Sequence, residues 1–552
     1  MKISIFILLG ILIFVLPFFK GLFFRKEILI TYVASFALFI VYGACKVMKK
    51  EKIEINSTFG FVGLSLIVVY ALPVIFGRWA DLGSAMDMIL RHANLFMIYL
   101  MVKDFSKEEK YKKTILNVLI GSGVTTALIG ILGATGYVNL PDVVLGNRIA
   151  STFQYPNTLA AFMMTLFFIT LGMKNETENI WQRALYAASG FIMLFTFIFT
   201  YSRAAWLLFP IFALLYLIVV PAKAKLSTLF YYIAVSAPIV LVLQPFTQYA
   251  AIEEEKKAKA LLTVLLATVL FSVLYMVLEW MGKKIGEKQE KIIYFIIGGM
   301  AVVGVAFGFI ALQATEPLVF DNTNVVENRT NQIQRVVQGI EPNKEYSLQV
   351  DLQAEGSGEE GQWPWRVRVF GVNEEGQQEL LIDRLGEQGE EGVIDIPFMT
   401  EETQKVNIYF TNYFPKTRVE FKEAILYSED EQKIADVKLS YKYIPEALIS
   451  RFNAIDLTDS SSSTRLLYYK DGWTMFKARP IIGAGGGAWR GLYTMYQSEP
   501  YNSTEAHNYF LQTLVETGLL GILLLLAIIG LTVWTRFQSM RKQETLQVSI
   551  AV

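Results

Sequence analysis

The stretch EAHNYFLQTLVETGLLGILLLLAIIGLTVWT, residues 505–535, decides the class of this protein. From Tyr509 to Thr535 it holds one acidic residue and no basic one, and it is longer than the roughly 20 apolar residues that cross a bilayer. Immediately before it stand Glu505, Ala506, His507 and Asn508, a polar group at the mouth of a membrane helix. Upstream, further apolar runs begin near residues 3, 28, 58, 83, 114, 158, 184, 205, 226, 258 and 292. The chain is 53% hydrophobic and only 18% charged, so lipid is part of its solvent. The expected fold is an all-α polytopic membrane protein of about twelve transmembrane helices.

Sidedness follows from the basic clusters. Lys46, Lys49, Lys50 and Lys52, the segment from Lys103 to Lys113, Lys223 and Lys225, Lys283, Lys284 and Lys288, and finally Arg536, Arg541 and Lys542 share one side if the N-terminus is inside. The opposite loops are short, neutral or acidic, so the positive-inside rule puts both termini in the cytoplasm of a cell whose cytoplasmic membrane holds the chain. The run Ile3 to Phe19 resembles a signal peptide but has no small-residue cleavage site and is expected to be retained as the first span. The expected layout is membrane helices over 1–313, an extracytoplasmic segment over 314–508, the last span over 509–535 and a cytoplasmic tail over 536–552.

Within the outer segment, Tyr346 to Ala354, Trp363 to Val372, Gly392 to Phe398, Lys405 to Phe410 and Arg418 to Tyr427 alternate apolar and polar residues between Gly-rich and acidic turns. They predict a β-sandwich-like insertion over 340–430. Trp363, Trp365 and Tyr413 are candidates for stacking on sugars, although aromatics in strands usually fill cores. A helical part over 445–508, introduced by the Ser460 to Ser463 run, carries site residues.

The composition also excludes functions. Fifty basic and fifty acidic residues leave no net charge to attract nucleic acid. Cys45 alone forms no intrachain disulfide or cysteine-rich metal site. No outer loop carries an Asp-x-Asp or His-x-x-x-His pair, so neither a metal nor another cofactor is expected.

Charge near a membrane is costly unless it works or is paired. Four places carry it on the outer rim. Arg148 to Asn157 (RIASTFQYPN) ends in Pro156 and Asn157, which suit a helix start. Thr200-Tyr201-Ser202-Arg203 is a tight turn in which Ser202 is placed to cap the next helix. Arg465 is followed by the glycine-rich Pro480 to Gly487. His507 precedes the last span. Helices starting at 158, 205 and 509 all present N-termini outward, where free N–H groups and the dipole favour anions. Arg148, Arg203 and Arg465 on that face suit a pyrophosphate, because guanidinium forks match phosphate oxygens. An interfacial arginine on its own more often snorkels to headgroups. His507 can exchange a proton near neutral pH. In the fourth span Asp87 and Arg91 lie four apart and are expected to pair, with His92 beside them.

These pieces resemble the bacterial O-antigen ligase and O-antigen polymerase superfamily of integral membrane glycosyltransferases. The resemblance rests on Arg148 to Asn157, Ser202-Arg203, Arg465 with Trp473 and the Pro480 to Gly487 turn, and Ala506-His507-Asn508 with Glu516, Gly518 and Gly521. It implies a metal-independent transferase, without cofactor, that moves an undecaprenyl-pyrophosphate-linked glycan to a glycan, lipid or protein acceptor. In that scheme His507 takes the acceptor proton and Arg203 acts with it. Arg148, Arg465, Asn157, Ser202 and Arg91 line the pyrophosphate and substrate site. The large β-rich insertion departs from the helical outer loop usual in the family. A lipid-linked oligosaccharide flippase would also have about twelve helices, and a wall-binding scaffold would use them only as an anchor.

Overall fold

The computed structural model describes residues 1–250, 254–373, 377–444, 446, 449 and 460–541. Each expected apolar stretch is a helix: α1 (Lys2–Val15), α2 (Arg25–Met48), α3 (Thr58–Ile75), α4 (Leu82–Phe105), α5 (Glu109–Ala134), α6 (Pro156–Glu176), α7 (Ile180–Ile198), α8 (Arg203–Val219), α9 (Ala222–Tyr249), α10 (Glu254–Gly282) and α11 (Glu287–Ala311). Two further helices, α12 (Ser460–Ala478) and α13 (Ala488–Tyr496), precede the last helix, α14 (Tyr509–Arg541). Among the described residues eight helices are long and apolar enough to cross a membrane, namely α2 to α6, α9, α10 and α14, while α1 and α8 are apolar but shorter. The chain is a multi-pass membrane protein. Residues 542–552 of the expected tail and most of 445–459 lie outside the described residues.

Local sequence fixes the helix starts. Ser57 accepts a hydrogen bond from Gly60 N–H, Asp81 from Ser84 N–H, and Asn179 from Trp181 and Gln182 N–H, each satisfying donors that the first turn leaves open. Small residues then allow close packing. A Cβ on Gly190 of α7 would meet the Tyr231 hydroxyl of α9 at 2.2 Å, and that hydroxyl donates to Ala187 O at 2.8 Å. The expected Asp87–Arg91 pair does not form. Asp87 instead takes Arg25, Nε to Oδ2 at 3.0 Å, because the first residue of α2 reaches across to α4. Arg91 is exposed, and His92 is buried against Tyr70, ring centroids 4.1 Å apart.

The chain divides into two compact units, 1–286 with 465–552 and 287–464. The second holds α11 and two antiparallel sheets. One runs β5 (Asn331–Gln338), β10 (Lys405–Asn412), β7 (Arg366–Val372), β8 (Gln378–Leu385). The other runs β12 (Lys433–Asp436), β11 (Arg418–Ser428), β6 (Glu345–Glu355), β9 (Glu391–Met399), with β4 (Leu318–Asp321) also on β11. In β6, Tyr346, Leu348, Val350, Leu352 and Ala354 all turn inward, the period-two pattern of a half-buried strand. Both sheets supply one hydrophobic core around Trp365, Val367, Ile408, Phe410, Val419 and Phe421. Trp365 is therefore a core residue, whereas Trp363 and Tyr413 are half-buried and stack on each other with centroids 6.2 Å apart. A two-stranded pair of β3 (Thr315–Glu316) and β13 (Ser440–Tyr441) ties entry to exit.

Candidate functional site

The segment before α6 is a built structure. Gly146 at φ +62° turns β1 (Val144–Leu145) back on β2 (Arg148–Ile149). Ile149 N–H then donates to Phe199 O at 2.9 Å, fastening the hairpin to the end of α7. Arg148 continues the link: its Nε donates to Thr200 O at 2.8 Å and one terminal nitrogen to Asn157 Oδ1 at 2.7 Å. Ser151 donates to Thr126 O at 2.6 Å, and Gln154 to Pro141 O at 2.9 Å. Arg148, Asn157 and the Thr200 to Arg203 turn are thus one cluster, holding the starts of α6 and α8 side by side.

Strain marks the same places. Ser151, Gln154, Tyr201 and His507 all have positive φ, between 50° and 54°, a conformation uncommon in residues with a Cβ. Such outliers persist only where surrounding contacts hold them. Tyr201 is held by its hydroxyl against Thr247 at 2.8 Å. Ser202 occupies the cap position of α8, but its hydroxyl does not cap the helix. The turn brings the Thr200 hydroxyl to Ser202 N–H at 3.4 Å instead. Arg203 is the first residue of α8 and half-buried.

A second cluster surrounds His507. Asn508 caps α14 by accepting from Phe510 N–H at 3.0 Å and Leu511 N–H at 3.2 Å. This places His507 one residue outside the helix, exposed, with its ring stacked on Tyr468 at a centroid separation of 6.0 Å. Tyr468 also packs edge-on against Tyr501 at 4.7 Å and Trp489 at 5.6 Å. Arg465 is exposed on α12, about one helical turn before Tyr468. Replacing Asn508 by Ala is expected to destabilise the start of α14 by about 1 kcal/mol. Thermal unfolding of the purified chain reads this, and Asn508→Asp should restore most of it.

Asp471, which sequence reasoning passed over, is buried below the rings. It accepts from Tyr501 Oη at 2.8 Å and from Ser498 N–H at 3.1 Å. Burial pushes the Tyr501 hydroxyl well above the ordinary phenol range, and the Asp471 charge pushes it further. The signal was present in α12, where Tyr468, Asp471, Gly472 and Met475 share one helix face and Asp471 sets a charge among apolar and small residues.

The glycine turn explains itself through α14. That helix is interrupted at Gly518, φ +63° and ψ −156°. The segment 480–487 runs along the break and takes up its open backbone groups: Ala484 N–H to Val515 O at 3.0 Å, Gly485 N–H to Glu516 O at 2.9 Å, and Leu519 N–H to Pro480 O at 2.8 Å. Glu516, buried, accepts from Gly487 N–H at 2.9 Å and Gln512 Nε2 at 3.1 Å. A Cβ on Gly483 would lie 2.3 Å from the Glu516 carbonyl carbon, so only glycine fits there.

Among the described residues no group of three His, Cys, Asp or Glu side chains is placed to hold a metal ion. A search of curated proteins returns no match. Residues 424–526, which include Arg465, the glycine turn, His507 and Glu516, match the O-antigen ligase family model. Over this segment, and over no more of its length, the chain is similar to the O-antigen ligase family.

Proposed function

We propose that the protein transfers an undecaprenyl-pyrophosphate-linked glycan to an acceptor hydroxyl on the outer face of the cytoplasmic membrane, as a surface-polysaccharide polymerase or ligase. All twelve apolar helices span in this reading, both termini are cytoplasmic, and the two sheets form an extracytoplasmic sandwich. The observation that carries it is the Arg148 link. One guanidinium joins the β1–β2 hairpin, the end of α7 and the start of α6, beside Arg203 at the start of α8. Two arginines at two helix starts suit an anion.

In this mechanism His507 takes the proton of the acceptor hydroxyl, and the oxygen attacks the anomeric carbon of the donor. The bond from that carbon to the pyrophosphate oxygen breaks, and undecaprenyl pyrophosphate leaves with the bonding electrons. Arg203 and Arg148 offset the charge that grows on the leaving group. Arg465 and Ser202 complete the substrate site, and Asn157 orients Arg148. Arg91, paired with neither Asp87 nor the hairpin, contributes at most to the charge around the donor. The acceptor is a glycan, lipid or protein, and no metal takes part.

The test is transfer by the purified chain in liposomes loaded with undecaprenyl-pyrophosphate glycan. Activity is expected to persist in a chelator, and loss that added divalent metal restores would overturn the metal-free mechanism. Asn157→Ala is expected to raise KM for the donor several-fold with little change in kcat, because it frees the Arg148 fork without removing its charge. An unchanged KM would take Asn157 out of the site.

A further inference from the structure

The outward face of the sheet β5-β10-β7-β8 carries an ordered grid of side chains. Strand register sets three rows across it: Gln332, Thr411, Arg366 and Leu385; Gln334, Tyr409, Arg368 and Asp383; Val336, Asn407, Phe370 and Leu380. With strands about 4.8 Å apart and alternate residues about 6.7 Å apart, the grid is roughly 14 Å on a side. The solvent face of an antiparallel sheet is ordinarily a set of independent polar side chains. Here they are tied together. Arg366 forks onto Asp383 at 2.8 and 2.5 Å, and Arg368 donates to Gln332 Oε1 at 3.0 Å, which also accepts from Thr411. The Arg368 guanidinium lies 5.7 Å from the Tyr409 ring centre and 5.9 Å from that of Phe370, and these rings meet edge-on at 5.4 Å. At one end Arg366 lies over Trp363, 6.0 Å from its ring, and Trp363 stacks on Tyr413.

We infer that this face is a binding site for an anionic glycan. Half-buried rings give a saccharide's C–H faces an apolar bed, while planar amides and guanidinium groups pair with its hydroxyls. The charge is specific. Asp383 forks onto Arg366 and reaches Arg368, opposite it in the register, only through its field; among the described residues Arg368 hydrogen-bonds an amide, and its Nε–H is buried without an acceptor. A guanidinium in that state matches a carboxylate or phosphate on the sugar. The choice of a glycan over another polyanion rests on the transferase reading above.

The experiment uses the full-length chain in lipid nanodiscs, titrated with tetragalacturonate, with a phosphate-bearing oligosaccharide and with neutral maltotetraose. At least one acidic saccharide is expected to bind ten-fold or more tightly than the neutral one. Arg368→Ala and Tyr409→Ala each should weaken that binding ten-fold or more, with Arg368→Lys intermediate and Gln349→Ala, on the other sheet, unchanged. Unaltered thermal unfolding shows that the variants fold. Absence of acidic-saccharide binding, indifference to Arg368→Ala, or equal capture of anionic liposomes or inorganic phosphate through Arg368 would overturn the site. His507→Ala should bind the saccharide normally while losing transfer. Normal transfer by that variant would remove the transferase reading, whereas the grid stands or falls on Arg368.

Discussion

Replacing His507 by Ala is expected to lower glycan transfer by about 10²- to 10⁴-fold, the range supplied by a positioned general base, with protein level and thermal unfolding unchanged. The side chain is exposed and stacks on the Tyr468 ring, so its removal opens no cavity. Arg203→Ala is expected to lose roughly 10²- to 10³-fold, as when one group that stabilises developing charge is taken away. Arg203→Lys should recover part of it, because the charge returns without the fork. In cells both alanine variants should leave surface glycan short or scarce. Glycan of normal length and amount in both would sink the proposed mechanism.

The second large effect concerns stability. Gly518→Ala puts a Cβ 2.4 Å from Ile481 O in a conformation that residues other than glycine almost never adopt. Backbone strain alone costs about 1–3 kcal/mol, and relief of the clash detaches Pro480 and Ile481 from Leu519 and Leu520. The expected outcome is a lower unfolding temperature together with loss of transfer, since the displaced turn packs against the helix that His507 precedes. Gly530→Ala, where a Cβ meets nothing within 4 Å, should behave as the parent chain. Equal unfolding temperatures for the two variants would show that the break at Gly518 bears no load.

Much of the helical layout was legible because lipid demands long apolar runs, and each expected run is a helix. The helix start at Pro156 was readable for a similar reason, being local, whereas the cap expected of Ser202 is not made. The five alternating runs became strands, but β4, β5, β8 and β12 were missed. β8 reads QELLIDRL, and a register shift between Val369 and Phe370 of β7 breaks its alternation against its neighbour. Long-range choices left no local trace. Nothing in the spacing of Asp87 and Arg91 announces that Arg25 will intervene, and a glycine inside an apolar run does not reveal a helix break answered by residues some thirty positions earlier. The aromatic nest around His507 depends on the same tertiary folding of α12 and α13 onto α14. Asp471 was the exception, a charge set among apolar and small residues of one helix face, which the sequence did display.

The interruption of α14 has a mechanical consequence. At roughly 1.5 Å per residue, the apolar part after the break, 519–535, extends about 26 Å, short of a hydrocarbon layer of about 30 Å, so residues before the break complete the crossing. The short piece from Tyr509 to Thr517 supplies that remainder and is fastened sideways to the glycine turn. The break lets the two pieces take different directions, the lower one set by the bilayer and the upper one, with His507 at its head, by its attachment to neighbouring protein. In the proposed mechanism the general base is thus positioned by protein contacts rather than by lipid.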